Sequence, residues 1–351
     1  MAVASQNFVT YLERTRPLVE AYLQEHQPHA AQDPSAGNER EQGDLARYLY
    51  DPLARFTASG GKRIRPVLTL LGCEAVGADP KAALSCACAI EDFQSAALIH
   101  DDIADEGELR RGEPCVHVQE GIGVAINVGD LALVTVFGKV LRDTSLRHGL
   151  RTRALGELLL MEERTLEGQA LDLGWARDEC WDVTVEDYLY MATHKTAYYS
   201  AATPLALGAI CGGADDQTIE GLRAFGMDAG LAFQLQDDLL NLVGDAEAQG
   251  KDFRSDITEG KRTMAVCWAL EQLEPGVRAE LVSILSSGTH QPDQLARAVE
   301  LMEHCGAIAA VRGKAEELTQ SAISHLDSVK LVEGYRQILE SMAHFFVERV
   351  A

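Results

Sequence analysis

Apolar residues recur three and four positions apart along almost the whole chain, whereas β-branched runs with strict alternation are scarce, and this periodicity restricts the chain to an all-α fold. The spacing predicts helices over residues 7–27, 66–76, 80–105, 123–142, 151–171, 184–210, 216–244, 261–272, 276–286, 291–304, 306–326 and 330–350. Breaks fall at GGADD, EPG and SSGTHQPD, and Gly60 and Gly61 stop one helix before Pro66 opens the next. The run 27–43, QPHAAQDPSAGNEREQG, reads as a flexible loop, so residues 1–45 are expected to form an N-terminal helix and loop, and 46–351 one helical domain. The helix 80–105 is dense in Ala, Cys and Ser, which lets neighbours approach closely and marks it as central.

Charge excludes some partners. Against 31 basic side chains stand 54 acidic ones, a formal charge of −23, so nucleic acid is not expected as a partner. The eight cysteines include no CxxC pair and lie mostly in apolar helical runs, as reduced core thiols do. No uninterrupted apolar stretch reaches about 18 residues, and no basic segment followed by an apolar core opens the chain, so no integral membrane segment and a cytoplasmic location are expected.

Two acidic clusters interrupt this pattern. In LIHDDIADEGELRRGEP, residues 98–114, Asp101 and Asp105 share a helix face and Asp102 lies beside them. Carboxylates so crowded repel one another unless a cation intervenes, and hard oxygen ligands suit Mg²⁺ shared with a substrate phosphate. Alone, such a motif reads equally well as a solvated acidic helix end. FQLQDDLLNLVGD, residues 233–245, repeats the design with Asp237 and Asp238 at the end of an apolar helix and Asn241 and Asp245 on the same face. Two such clusters suit a clamp on a polyphosphate. The basic residues beside them are Lys62 and Arg65 in GGKRIRP, Arg110, Arg111, Lys195 in HKTA, Lys251 and Lys261.

GGKRIRP, LIHDDIADEGELRRGEP, HKTA, FQLQDDLLNLVGD and SDITEGKRT occur in the order and approximate spacing of the trans-type isoprenyl diphosphate synthases, the polyprenyl synthetase family, which the chain resembles from about residue 46 onward. The resemblance implies a single large helical bundle of the isoprenoid synthase type with a central cavity, usually a homodimer. It further implies condensation of an allylic diphosphate (dimethylallyl, geranyl or farnesyl) with isopentenyl diphosphate, aided by about three Mg²⁺. Position by position, Asp101, Asp102, Asp105, Asp237 and Asp238 match the metal-binding aspartates. Arg110, Lys195, Lys251 and Lys261 match contacts of the allylic diphosphate; Lys62, Arg65, Gln94 and Arg111 match those of isopentenyl diphosphate. Thr196 and Gln234 match positions whose dipoles face the allylic cation. Asn241 replaces the usual last aspartate and offers only a weak metal ligand, and Arg254 stands where many relatives carry glycine.

The rival readings are a class I terpene cyclase, since Asp237, Asp238, Asn241 and Asp245 approximate that motif, and an inactive regulatory subunit of a heteromeric synthase. A cyclase has no second diphosphate to bind, which leaves Lys62, Arg65, Gln94 and Arg111 without a role. His100 and His194 are read as packing or secondary groups; Trp175, Trp181, Trp268, Met161, Met191, Met227, Tyr188, Tyr190, Tyr198 and Tyr199 as core or interface residues. In the family, the residues four and five places before the first aspartate often form the floor for the product. Here they are the small Ala97 and Ala96, so the next side chain on that face, Phe93, about 4.5 Å deeper, is the expected stop, with Ile90 beyond it. That spacing favours C20, geranylgeranyl diphosphate, with C25 second. Phe93→Ala is expected to lengthen the product, read by sizing the dephosphorylated alcohols; an unchanged distribution removes Phe93 as the floor.

Overall fold

The computed structural model describes residues 6–29, 38–244 and 253–348. In chain order its α-helices are α1 (Gln6–Glu25), α2 (Glu39–Leu45), α3 (Asp51–Ala58), α4 (Ile64–Ala75), α5 (Leu84–Ala104), α6 (Val116–Glu120), α7 (Ile122–Arg142), α8 (His148–Arg177) and α9 (Val185–Ala192). They continue with α10 (Thr203–Cys211), α11 (Asp216–Val243), α12 (Ser255–Thr258), α13 (Met264–Gln272), α14 (Pro275–Leu285), α15 (Pro292–His304), α16 (Ala307–His325) and α17 (Tyr335–Glu348). Among the described residues the strands are two two-residue pieces, β1 (Leu109–Arg110) and β2 (Glu113–Pro114), paired antiparallel.

These elements form two compact units. The first comprises the described residues of 11–158 and 204–215. Its centre is α5, with α7 along one side and α4 along another. Gly72 and Gly208 let α4 and α10 touch backbone to backbone, because a Cβ on Gly72 would overlap the Leu205 carbonyl and one on Gly208 that of Thr69. α5 and α7 are each long and apolar enough to cross a membrane by length and composition alone, although neither contains the uninterrupted apolar run sought in the sequence. In this unit α5 is mostly buried, while Ile122, Ile126, Val134 and Leu141 of α7 are exposed.

The second unit comprises the described residues of 6–10, 159–203 and 216–348. Here α11 is central, against α16 and a π-helical segment, Thr193–Ala202, that joins α9 to α10. Gly226 and Gly230 bring α11 against Ala201 and Ala197 of that segment, and Gly168 of α8 abuts Lys195 so closely that a Cβ would overlap its backbone nitrogen. The apolar cluster of this unit runs from Val183 to Leu318 through Leu235, Leu239, Met264, Leu301 and Met302.

Candidate active site

In the first unit a hairpin orients two arginines. Arg111 and Gly112 both have positive φ (55° and 84°) and form a two-residue turn of the type that closes tight hairpins, placing Arg110 on β1 and Arg111 at the tip. Arg110 donates from Nε (2.9 Å) and Nη2 (2.5 Å) to Asp102 Oδ1. Arg111 donates to the Gly60 carbonyl and to Ser59 Oγ (3.3 Å), so the structure brings it to the turn that carries Lys62. That turn is anchored by Arg63, a residue the motif reading passed over. Arg63 adopts φ 51° and buries its guanidinium, donating to Glu20 Oε1 (2.9 Å), Glu91 Oε1 and the Thr57 carbonyl (2.6 Å). Lys62 stays exposed and Arg65 half-buried on either side of it.

The first aspartate cluster ends α5. Asp101 is half-buried, Asp102 buried and Asp105 exposed at the C-cap. Gln94, Ala97, Leu98 and Asp101 follow one another at helical spacing on a partly open face. Ala97 therefore lies on the face of Asp101, whereas Ala96 packs with Phe56, Val128 and Ala132, and Phe93 and Ile90 are buried deeper along α5. His100 abuts Gly129 and lies 3.6 Å from Asp130.

In the second unit a cavity of ≈ 90 Å³ is lined by Lys195, Thr196, Gln234, Asp238, Asp256 and Lys261, with Asp172 and Tyr188 in the same wall. Lys195 and Thr196 sit in the π-helical segment, a geometry found often at functional sites because it re-aims side chains within a helix. Lys195 Nζ is 2.5 Å from Asp172 Oδ2, and Lys261 Nζ is 2.5 Å from Glu259 and 3.8 Å from Asp256. The adjacent aspartates of α11 differ: Asp237 is exposed, while buried Asp238 accepts from Tyr188 Oη (2.5 Å) and Gln234 Nε2 (2.7 Å). Asn241 donates from Nδ2 to Ser255 Oγ (3.1 Å) and accepts from the Asp256 amide (3.3 Å), so its side chain binds the start of α12. Lys251 and Asp245 lie outside the described residues. The His194 ring lies 4.0 Å from that of Tyr190, tilted by 31°.

Asp172 and Asp256 have no role in the sequence motifs, and Tyr188, expected as a core or interface residue, holds Asp238 instead. Nothing in the sequence separates Tyr188 from the neighbouring tyrosines, or Asp172 from the other acidic residues of α8. Burial, and then the charge of Asp256, raise the Asp238 carboxyl to about 8; burial raises Asp256 to about 6, against the pull of Lys261. Carboxylates kept partly protonated in this way are relieved by a cation. In the first unit, Asp102 Oδ2 is buried with no hydrogen-bond partner. Among the described residues no three His, Cys, Asp or Glu side chains converge on one point. Mg²⁺ keeps several waters and completes its shell with one or two carboxylates and substrate phosphate. The donors present fit that ion.

The family model described as polyprenyl synthetase matches residues 46–302. The chain is 42% identical to a short chain isoprenyl diphosphate synthase of Methanothermobacter thermautotrophicus, covering 83% of this chain and 87% of that one. It is 38% identical to a geranylfarnesyl diphosphate synthase of Natronomonas pharaonis, covering 87% and 89%. A crystal structure of geranylgeranyl pyrophosphate synthase from Corynebacterium glutamicum, complexed with isoprenyl diphosphate and magnesium, superposes with a TM-score of 0.80 at 30% identity, covering 99% of this chain and 98% of that one.

Because folding raises the pKa values of Asp238 and Asp256, the stability these groups contribute is present below about pH 4 and is lost as pH rises through 6 and 8. In metal-free buffer the stability of the wild type relative to Asp238→Asn is therefore expected to fall between about pH 4 and 8, by on the order of a few kcal/mol, and to level off above that. Urea denaturation of both proteins across that range checks this; a constant difference contradicts it.

Proposed function

The chain belongs to the polyprenyl synthetase family, and on that premise we propose that it condenses an allylic prenyl diphosphate with isopentenyl diphosphate to give geranylgeranyl diphosphate, C20, with C25 as the second reading. The observation that carries this is the wall of the second unit's cavity, where Lys195, Thr196, Gln234 and Asp238 surround one small space. A diphosphate leaving a carbocation needs cations at its oxygens and neutral dipoles at the carbon, and this wall supplies both. The named relatives leave both lengths open, since one makes geranylfarnesyl and the other geranylgeranyl diphosphate by name.

On this reading the allylic diphosphate is held by Arg110, Lys195, Lys251 and Lys261, and Lys62, Arg65, Gln94 and Arg111 hold isopentenyl diphosphate. That both aspartate clusters serve one diphosphate rests on the order of the motifs along the chain. Mg²⁺, at Asp101, Asp102, Asp105 and Asp237, would neutralise charge on the departing diphosphate. Lys195 stabilises the same oxygens, and Thr196 and Gln234 turn their oxygen dipoles toward the allylic carbon as positive charge develops. The isopentenyl double bond then attacks that carbon, and the condensed cation loses a proton to the departed diphosphate, so no side chain is assigned as base. Tyr188 positions Asp238 through its hydroxyl.

A homodimer is part of the proposal. Ile122, Ile126, Val134 and Leu141 form an exposed apolar stripe on α7, with Val134 68% exposed; Leu159, Leu166 and Leu173 form a second on α8, at seven-residue spacing. A second copy of this chain is the occupant we assign to them. Val134→Asp is expected to yield monomer at micromolar concentration by sedimentation, where the wild type is dimeric; a monomeric wild type refutes the dimer.

Incubation with Mg²⁺, labelled isopentenyl diphosphate and each primer, followed by sizing of the alcohols, tests the reaction. Asp101→Ala and Asp237→Ala are each expected to lower kcat by at least about 100-fold with retained folding. Activity of both variants close to wild type would refute the assignment of the two clusters.

A further inference from the structure

Glu162 of α8, in the second unit, has no part in the chemistry above. Its side chain is half-buried, and its Oε1 is buried without a hydrogen-bond partner. Thr165, one turn nearer the cavity, likewise has a buried Oγ1 with no partner, although a helical threonine can ordinarily bond the carbonyl four residues back. Buried polar atoms are nearly always satisfied, so two orphans on one helix face need a cause. Helical geometry identifies the face. Glu162, Thr165, Gln169 and Asp172 fall at i, i+3, i+7 and i+10, and Asp172 is the partner of Lys195 in the cavity wall. Burial alone pushes the Glu162 carboxyl up to about 7, with no charged neighbour contributing.

Glu162 lies ten residues before Asp172, about 15 Å along the axis, which is the length of roughly three isoprene units. A prenyl chain whose diphosphate end is held at Lys195, and which extends along this face of α8, uses three units to reach the carboxyl and ends its fourth there, so a fifth has to pass over it. Resting on the synthase reading above, we propose that Glu162 is a specificity-determining residue that limits product length. A further apolar unit must strip the carboxyl of whatever water remains, a cost that a side chain of similar size without polar atoms would not impose. The limit is one of polarity rather than of volume, which separates it from the aromatic ring of Phe93 on α5.

The test compares wild type, Glu162→Gln and Glu162→Leu by sizing the products from each primer. Leucine, similar in volume, is expected to raise the C25 to C20 ratio roughly tenfold, while glutamine, polar and of the same shape, stays within about twofold of wild type. A Glu162→Leu protein with wild-type product distribution overturns the proposal, as does an equal shift in both variants. Should the wild type elongate no primer, the synthase reading fails. The ratio of affinities for C25 and C15 diphosphates, measured by calorimetry, still decides the role of Glu162: leucine is expected to raise it about tenfold, and an unchanged ratio overturns the inference.

Discussion

Carboxylates withdrawn from water govern the candidate site residues of each unit. Glu91, Asp102, Asp172 and Asp238 each keep little exposure, and taking a carboxylate out of water costs several kcal/mol unless something answers its charge. Arg63 answers Glu91, Arg110 answers Asp102 and Lys195 answers Asp172, while two neutral donors, Tyr188 and Gln234, hold Asp238. Two of these cations, Arg110 and Lys195, are ones the proposed reaction assigns to the allylic diphosphate. Binding the diphosphate as its magnesium complex would then be an exchange of ions. The phosphate takes the protein's cations, the metal takes the protein's carboxylates, and the buried charge stays balanced throughout.

The same logic explains how a chain of formal charge −23 can bind polyanions. Its cations at these sites are held by local acidic partners, so that they are already positioned when the substrate arrives. Arg63 shows what this requires of the backbone. Its left-handed conformation costs about 1 kcal/mol or more, and the four hydrogen bonds of its buried guanidinium stabilise the turn that displays Lys62 and Arg65.

The helical period identified nearly every long element, and the aspartate and basic motifs could be read because their side chains have one obvious use. What stayed hidden depended on contacts between distant segments. Residues 184–210 have one continuous helical pattern, and nothing local announces the π-helical segment, whose packing is set by Gly168, Gly226 and Gly230 from other helices. The hairpin at 109–114 is too short for alternation to register, and its turn is the ordinary dipeptide Arg111–Gly112. α8 runs over 148–177 rather than 151–171, and the last helix starts at Tyr335 rather than 330 because Gly334, at φ 89°, turns the chain first. Tyr188 resembles three nearby tyrosines in sequence, and only the position of Asp238 distinguishes it.

The two departures from the family pattern, Asn241 and Arg254, meet in space. The Arg254 amide donates to the Asn241 carbonyl (2.9 Å), and Arg254 takes φ 64°, the left-handed region glycine enters more easily. Its guanidinium lies over the Phe253 ring and reaches the Leu242 carbonyl, contacts a glycine could not make. Hydrogen bonding alone does not demand asparagine at 241, since a carboxylate there could accept from both Ser255 and Asp256. Charge does distinguish the two. Asp237, Asp238 and Asp256 already crowd this end of α11, and the charge of Asp256 helps to keep a proton on Asp238. One more carboxylate beside Asp256 would add to that repulsion, whereas the neutral amide keeps the start of α12 bound without adding charge beside Asp237, Asp238 and Asp256.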